Sequence, residues 1–345
     1  MKEQTGSPVR KILLVRVGRG GDLIMATPAI RALLEAFPAA EFHLLTTPEG
    51  RRIMDGFDDR ITRTLLYTRR FPRTLLMQRQ LGREIRAEAY DRIYIFEAKP
   101  HYRRWLGKAA PEVFALEGRA GGRHNADWNL DLVASSLPQP IGRGWVNLPV
   151  TDEGLAAARS LLHENGVDPS SKLVGLHPTY SGTGLSHFRE RRHRDHRMWP
   201  TESFAALARI LTERSKAEGR ALTLVVDALP NEVHHVQPII EQSGGAITLL
   251  AAPPNFQRFK ALLSLMDVLV TANTGPMHMA AAVNTPLVAL FSHWRPNDCG
   301  PFMDPASYTV LQAEDIRPEA RGLAGILPGP VADAVLAMLD RQPGD

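Results

Sequence analysis

Val268-Leu269-Val270, followed three residues later by Asn273-Thr274-Gly275-Pro276-Met277-His278-Met279-Ala280-Ala281-Ala282, is an apolar run, a small-residue turn and a helix-forming stretch in close succession. A buried strand ends, the chain turns, and a helix opens. The first amides of such a helix have no internal partners and carry the positive end of its dipole, so the turn is suited to a phosphate. Thr274 and Gly275 are placed to offer those amides, and His278, about one turn in, adds a side-chain donor. Taken alone, the same stretch is also an ordinary strand-turn-helix corner.

The pattern recurs along the chain. Ile12 to Val17 predicts a buried strand, and after a glycine-rich turn Leu23, Ile30, Leu33, Leu34 and Phe37 return at helical spacing, with Thr27-Pro28 allowing a break. Further strands are predicted at Phe42 to Thr46 and Arg92 to Phe96, with a helix from Thr74 to Glu88 between them. After Pro138, Pro140 and Pro149 the alternation restarts. A helix at Leu155 to Leu162 leads to strands at Leu173 to His177, Leu222 to Asp227, Ile247 to Leu250, Val268 to Thr271 and Leu287 to Phe291. Helices are expected at Phe204 to Leu211, Phe256 to Leu265 and Val331 to Leu339. Alternating β and α elements imply parallel sheets, hence two doubly wound α/β halves joined near 140–155. The expected division is an N-terminal Rossmann-like domain at 1–150 and a C-terminal one at 151–345.

Bulk properties agree with two ordinary globular domains. The chain has 345 residues, 44% hydrophobic and 23% charged, which is long enough for two cores and not biased toward disorder. Lys and Arg exceed Asp and Glu by 41 to 37, an excess that favours acidic partners without requiring nucleic acid. The lone Cys299 rules out an internal disulfide and fits a reducing compartment. No stretch reads as a signal sequence or reaches the ~20 apolar residues of a membrane span. A cytoplasmic protein is the expectation, with peripheral contact at a membrane surface open.

Two loops add chemistry. Gly18-Arg19-Gly20-Gly21-Asp22 joins the first strand to its helix, where Gly20 and Gly21 allow backbone to approach a ligand. The third glycine of a dinucleotide fingerprint is absent. Asp22 has two readings: a helix N-cap, or a general base that takes a proton from a hydroxyl nucleophile. The second loop, His187-Phe188-Arg189-Glu190-Arg191-Arg192-His193-Arg194-Asp195-His196-Arg197, carries five arginines and is either a phosphate-gripping loop or a solvated charge run. A zinc site from His187, His193 and His196 is disfavoured, because neither cysteines nor a zincin spacing accompany them. His234-His235 also lack a metal pattern.

Three segments together resemble the heptosyltransferase family, glycosyltransferase family nine: Ile12 to Phe37 with Gly21-Asp22 and Thr27-Pro28-Ala29, the element Arg197-Met198-Trp199-Pro200, and Asn273 to Ala282. The resemblance covers the chain from about residue 11 to its end. It implies a GT-B architecture, two Rossmann-like domains facing a central cleft, and metal-independent, inverting transfer of a heptose or related sugar from a nucleotide diphosphate to a lipopolysaccharide or other glycan acceptor. It requires no redox cofactor. By the same resemblance Asp22 is the base, and Arg197 stands where the family usually has a lysine on the donor phosphates. Thr274, Gly275 and His278 form the diphosphate loop, and Glu232 holds the nucleotide ribose. Family members commonly have Asp where this chain has Asn273, whose amide can bond sugar hydroxyls but carries no charge.

ADP-heptose is the donor this implies and an acidic glycolipid or glycan the acceptor, with Gly20 and Gly21 beside Asp22 and no nucleic acid partner; from charge alone, the basic loop and Arg123-His124 are expected to serve the acidic acceptor. The implied location is cytoplasmic, peripheral at the inner face of the inner membrane. The competing expectations are a sugar-nucleotide epimerase or hydrolase of the same architecture and a catalytically silent sugar-nucleotide binder.

Overall fold

The computed structural model describes residues 8–68, 73–118, 121–179, 197–319 and 322–341. The chain divides into two compact units between Leu148 and Pro149, each a wholly parallel sheet with its own core.

In the first unit the order of elements is β1 (Lys11–Val15), α1 (Gly20–Ile24), α2 (Thr27–Ala36), β2 (Glu41–Thr46), α3 (Pro48–Met54), β3 (Ile61–Leu66), α4 (Arg73–Ala87), β4 (Arg92–Ile95), α5 (Pro100–Leu106), β5 (Glu112–Ala115) and α6 (Asn125–Ala134). The sheet runs β3-β2-β1-β4-β5. The helix expected from Leu23 to Phe37 is two helices, broken just before Thr27-Pro28. Thr27 turns its hydroxyl back to the Ile24 carbonyl at 2.7 Å, and proline at the second position of α2 lacks the amide a continuous helix would need.

The second unit contains α7 (Asp152–Glu164), β6 (Lys172–His177), α8 (Thr201–Ala217), β7 (Leu222–Ala228), α9 (Val233–Gln242), β8 (Ile247–Ala251), α10 (Phe256–Ser264), β9 (Val268–Ala272), α11 (Gly275–Ala282), β10 (Leu287–Phe291), α12 (Pro296–Cys299), β11 (Tyr308–Gln312), α13 (Ala313–Ile316) and α14 (Pro328–Asp340). Its sheet runs β11-β10-β9-β6-β7-β8. Every residue of β9 and β10 is buried, as is every residue of β1 after Lys11. Strands covered on both faces read as continuous apolar runs, which is why these were visible in the sequence. The strands not foreseen, β3, β5 and β11, are all sheet edges. They are half-exposed and carry Arg63, Glu112 or Gln312 among their apolar residues.

In each sheet the strand order reverses once, at β1/β4 and at β6/β9. Open α/β sheets bind ligands outside the carboxyl ends of the strands at such a point. Among the described residues no helix is long and apolar enough to cross a membrane.

The two helices α7 and α10 lie in close contact. Gly154, in the first turn of α7, makes this possible: a Cβ there would stand 2.7 Å from the Gln257 carbonyl oxygen. Alanine favours a helix interior over glycine by about 1 kcal/mol, but overpacking against backbone costs about 1–3 kcal/mol. Gly154→Ala is therefore expected to lower the melting temperature by roughly 2–4 °C, measured by differential scanning calorimetry.

Candidate active site

In the first unit, chemistry collects at the carboxyl ends of β1 and β4. Register pairs Val15 with Ile95, and Phe96 donates its amide to the Val15 carbonyl at 3.0 Å. Arg16 and Glu97 thus leave the sheet side by side, and both are buried. The Arg16 guanidinium folds beneath the following loop, where a Cβ on Gly18 would meet its Cζ at 3.1 Å. Its Nη1 lies 2.7 Å from Glu97 Oε1 and its Nη2 lies 3.0 Å from Asp22 Oδ2. Glu97 Oε1 also accepts the Val17 amide at 2.9 Å. The result is one buried cation held by two carboxylates, only one of which, Asp22, reaches the surface.

Asp22 is not a helix cap. It is the third residue of α1, whose N-cap is Arg19, so its carboxylate turns to Arg16 and not to an amide of its own helix. Gly20 and Gly21 are both buried. A Cβ on Gly20 would meet Ile53 Cδ1 at 2.6 Å and Glu49 Oε1 at 2.7 Å, so this glycine admits α3 against α1. The ligand approach expected of it is not its evident use.

In the second unit the expected residues lie in the connections that leave the carboxyl ends of β6, β7 and β9, or in the helix that opens after β9. Thr274 is the N-cap of α11 by position, yet its hydroxyl turns back to the strand, 3.3 Å from the Ala272 carbonyl. Gly275 is exposed and His278 buried, and Pro276 has no amide to offer. Asn273 donates its side-chain amide to Cys299 Sγ at 3.3 Å. Glu232 precedes α9 and folds onto its own loop, accepting the Leu229 amide at 3.3 Å.

Arg197 is half-buried, its Cζ 5.0 Å from the centre of the Trp294 ring in the loop after β10. The neighbouring Trp199 fixes this segment: it is buried, its Nε1 donates to the Ile326 carbonyl at 2.9 Å, and its ring meets Phe204 edge-on. Residues 187–196 of the basic loop, including His187, His193 and His196, lie outside the described residues. Arg123 is engaged locally in the first unit, paired with Asp131 at 2.5 Å and set over the Trp128 ring.

Besides Arg16 and Glu97, two further groups at strand ends went unnoticed in the sequence. His177 closes β6, and burial pushes its imidazole down from the usual 6.5 to about 4. Asp227, one residue before the end of β7, is pushed up from 3.8 to about 6, chiefly by burial, with Glu232 adding to the rise and Arg258 opposing it. The linkage signs are opposite. His177 binds its proton less readily when folded, so its contribution to stability is present above pH 6.5 and lost as pH falls toward 4. Asp227 binds its proton more readily when folded, so its contribution is present below pH 3.8 and lost as pH rises through 6. Melting temperatures between these limits should separate the two. Asp227→Asn gains most over the parent protein above pH 6 and loses that gain toward pH 4, while His177→Gln gains relative to the parent as pH falls from 6.5 to 4.

The sequence model of glycosyltransferase family 9 (heptosyltransferase) matches residues 183–321, a span that takes in the basic loop and runs past α13. The chain is 23% identical to lipopolysaccharide heptosyltransferase 2 of Escherichia coli, over 83% of this chain and 84% of that one. Its fold is that of the glycosyl transferase family 9 crystal structure from Veillonella parvula, with a TM-score of 0.79 at 18% identity over 96% of this chain and 99% of that one. The E. coli heptosyltransferase WaaC, solved with ADP, superposes with a TM-score of 0.67 at 15% identity over 95% and 99%.

Proposed function

We propose that this chain, which carries a glycosyltransferase family 9 domain across residues 183–321, is an inverting heptosyltransferase of lipopolysaccharide core assembly. ADP-heptose is its donor and an acidic core glycolipid its acceptor. The relatives' names support the class of reaction, and ADP bound to a protein of the same fold supports the nucleotide.

The observation that carries the reading is the exposed Gly275 start of α11 at the switch point of the second sheet, within the family-matched span. Amides there suit a diphosphate. Arg197 and His278 add positive or donor groups to the same phosphates, Glu232 takes the ribose hydroxyls, and Asn273 bonds the sugar through its amide. The second unit is then the donor domain and the first the acceptor domain, with Arg123 and the basic loop turned to acceptor charge. No metal or redox group enters the scheme.

In the reaction Asp22 takes the proton of the acceptor hydroxyl as its oxygen bonds to the anomeric carbon. The bond from that carbon to the diphosphate breaks on the opposite side, which inverts the centre. The departing diphosphate keeps the electron pair, and the amides of α11 with Arg197 stabilise its charge. The enzyme works in the cytoplasm, peripheral at the inner face of the inner membrane where its acceptor is anchored.

The test separates the two halves of the scheme. Asp22→Asn should lower kcat by about 10²–10⁴-fold while ADP affinity, measured by calorimetry, stays within twofold. Arg197→Ala should weaken ADP binding instead. Turnover of ADP-heptose by Asp22→Asn at the parent rate would remove the base assignment, and sugar release without acceptor would favour a hydrolase.

A further inference from the structure

We infer that Arg16 and Glu97 are positioning residues that set both the direction and the basicity of Asp22, an inference that rests on Asp22 being the base. The three side chains are joined in series through Arg16. Glu97, buried, lies 2.7 Å from Arg16, also buried, and Arg16 lies 3.0 Å from the partly exposed Asp22. Arg16 touches only Oδ2 of Asp22. The carboxylate is thereby turned so that Oδ1, which no described residue engages, is the oxygen left to receive a proton.

The charge arithmetic gives Glu97 its part. A carboxylate beside one buried cation is held ionised but is made a weaker base, because taking a proton would strand the cation without a counter-charge. Arg16 would be stranded in that way if Asp22 were its sole partner, since its Nε is buried and has no partner either. Glu97, 2.7 Å from Arg16, gives the cation a second carboxylate partner after Asp22 is protonated. The cation can therefore orient the base without suppressing it.

The remaining charged groups around this end of β1 are few among the described residues. Arg19 caps α1, Glu49 faces Gly20 from α3, and Lys99 follows Glu97 by two residues. None of them is paired with Arg16. Removing Arg16 and removing Glu97 must accordingly act in opposite senses on Asp22. Loss of the cation raises the pKa of the base, and loss of the second anion lowers it.

The experiment is the pH dependence of kcat/KM with ADP-heptose and a lipopolysaccharide core acceptor in the full chain, whose acid limb reports the base in the free enzyme. Arg16→Met should move that limb up by about one pH unit, and Glu97→Gln should move it down by about half a unit or more. Glutamine keeps the oxygen that accepts the Val17 amide, so this variant is shaped to fold. Melting curves check both, and if Arg16→Met does not fold, the direction of the Glu97→Gln limb decides alone. Limbs that stay in place, or shift in the same direction, with Asp22→Asn inactive would overturn the relay and leave the base assignment standing. An active Asp22→Asn would instead remove the assignment itself.

Discussion

A parallel sheet covered on both faces leaves polar chemistry one place to go, the ends of its strands. In β1, β9 and β10 an isolated polar side chain would sit among apolar neighbours with no water to satisfy it, at a cost of several kcal/mol for an ion. The carboxyl ends escape this, because there the chain turns away from the sheet and loops supply partners. Arg16, Glu97, His177, Asp227 and Asn273 all stand at or within a few residues of such an end. What the sheets contribute to function is therefore position: register brings together residues far apart in sequence, and it does so on rigid backbone.

Burial then decides how each of these residues behaves. Arg16 and Glu97 are buried as a compensating pair, with Asp22 as a second partner of Arg16 and the Val17 amide donating to Glu97. Among the described residues His177 and Asp227 have no ion-pair partner, and each moves toward its neutral form, the imidazole downward and the carboxyl upward. The strand ends of the two sheets thus carry different kinds of polar group. The first sheet holds the Arg16–Glu97 pair beside Asp22. The second holds two groups that burial shifts toward their neutral forms.

Much of this was legible in the sequence, and the boundary of legibility is physical. Central strands were visible because two-sided burial demands unbroken apolar runs, and Thr27-Pro28 announced the break between α1 and α2. The edge strands β3, β5 and β11 were not, since β3 mixes Thr62, Arg63 and Thr64 with its apolar residues and β5 is only four residues long, whereas the edge strand β8 was foreseen from its run at Ile247 to Leu250. Asp22 and the turn before α11 could be picked out because each belongs to a local motif. Whether Asp22 caps its helix could not, because that depends on where the helix begins, and α1 starts two residues earlier, at Gly20.

Glu97 belongs to a third category, since its partner is 81 residues away in the chain and no local pattern names it. Yet a signal exists in the arrangement of the apolar runs. Ile12 to Val15 and Arg92 to Ile95 are both strands of a parallel sheet, and each is followed within two residues by a charged residue, the two of opposite sign: Arg16 directly after Val15, and Glu97 after Phe96. If two such strands are neighbours, parallel register forces the charges together at the same end. A cation and an anion that each end a buried strand are then better read as a pair than as two solvated residues. Only the adjacency of β1 and β4 was missing, and in a doubly wound half that adjacency is what the switch point requires.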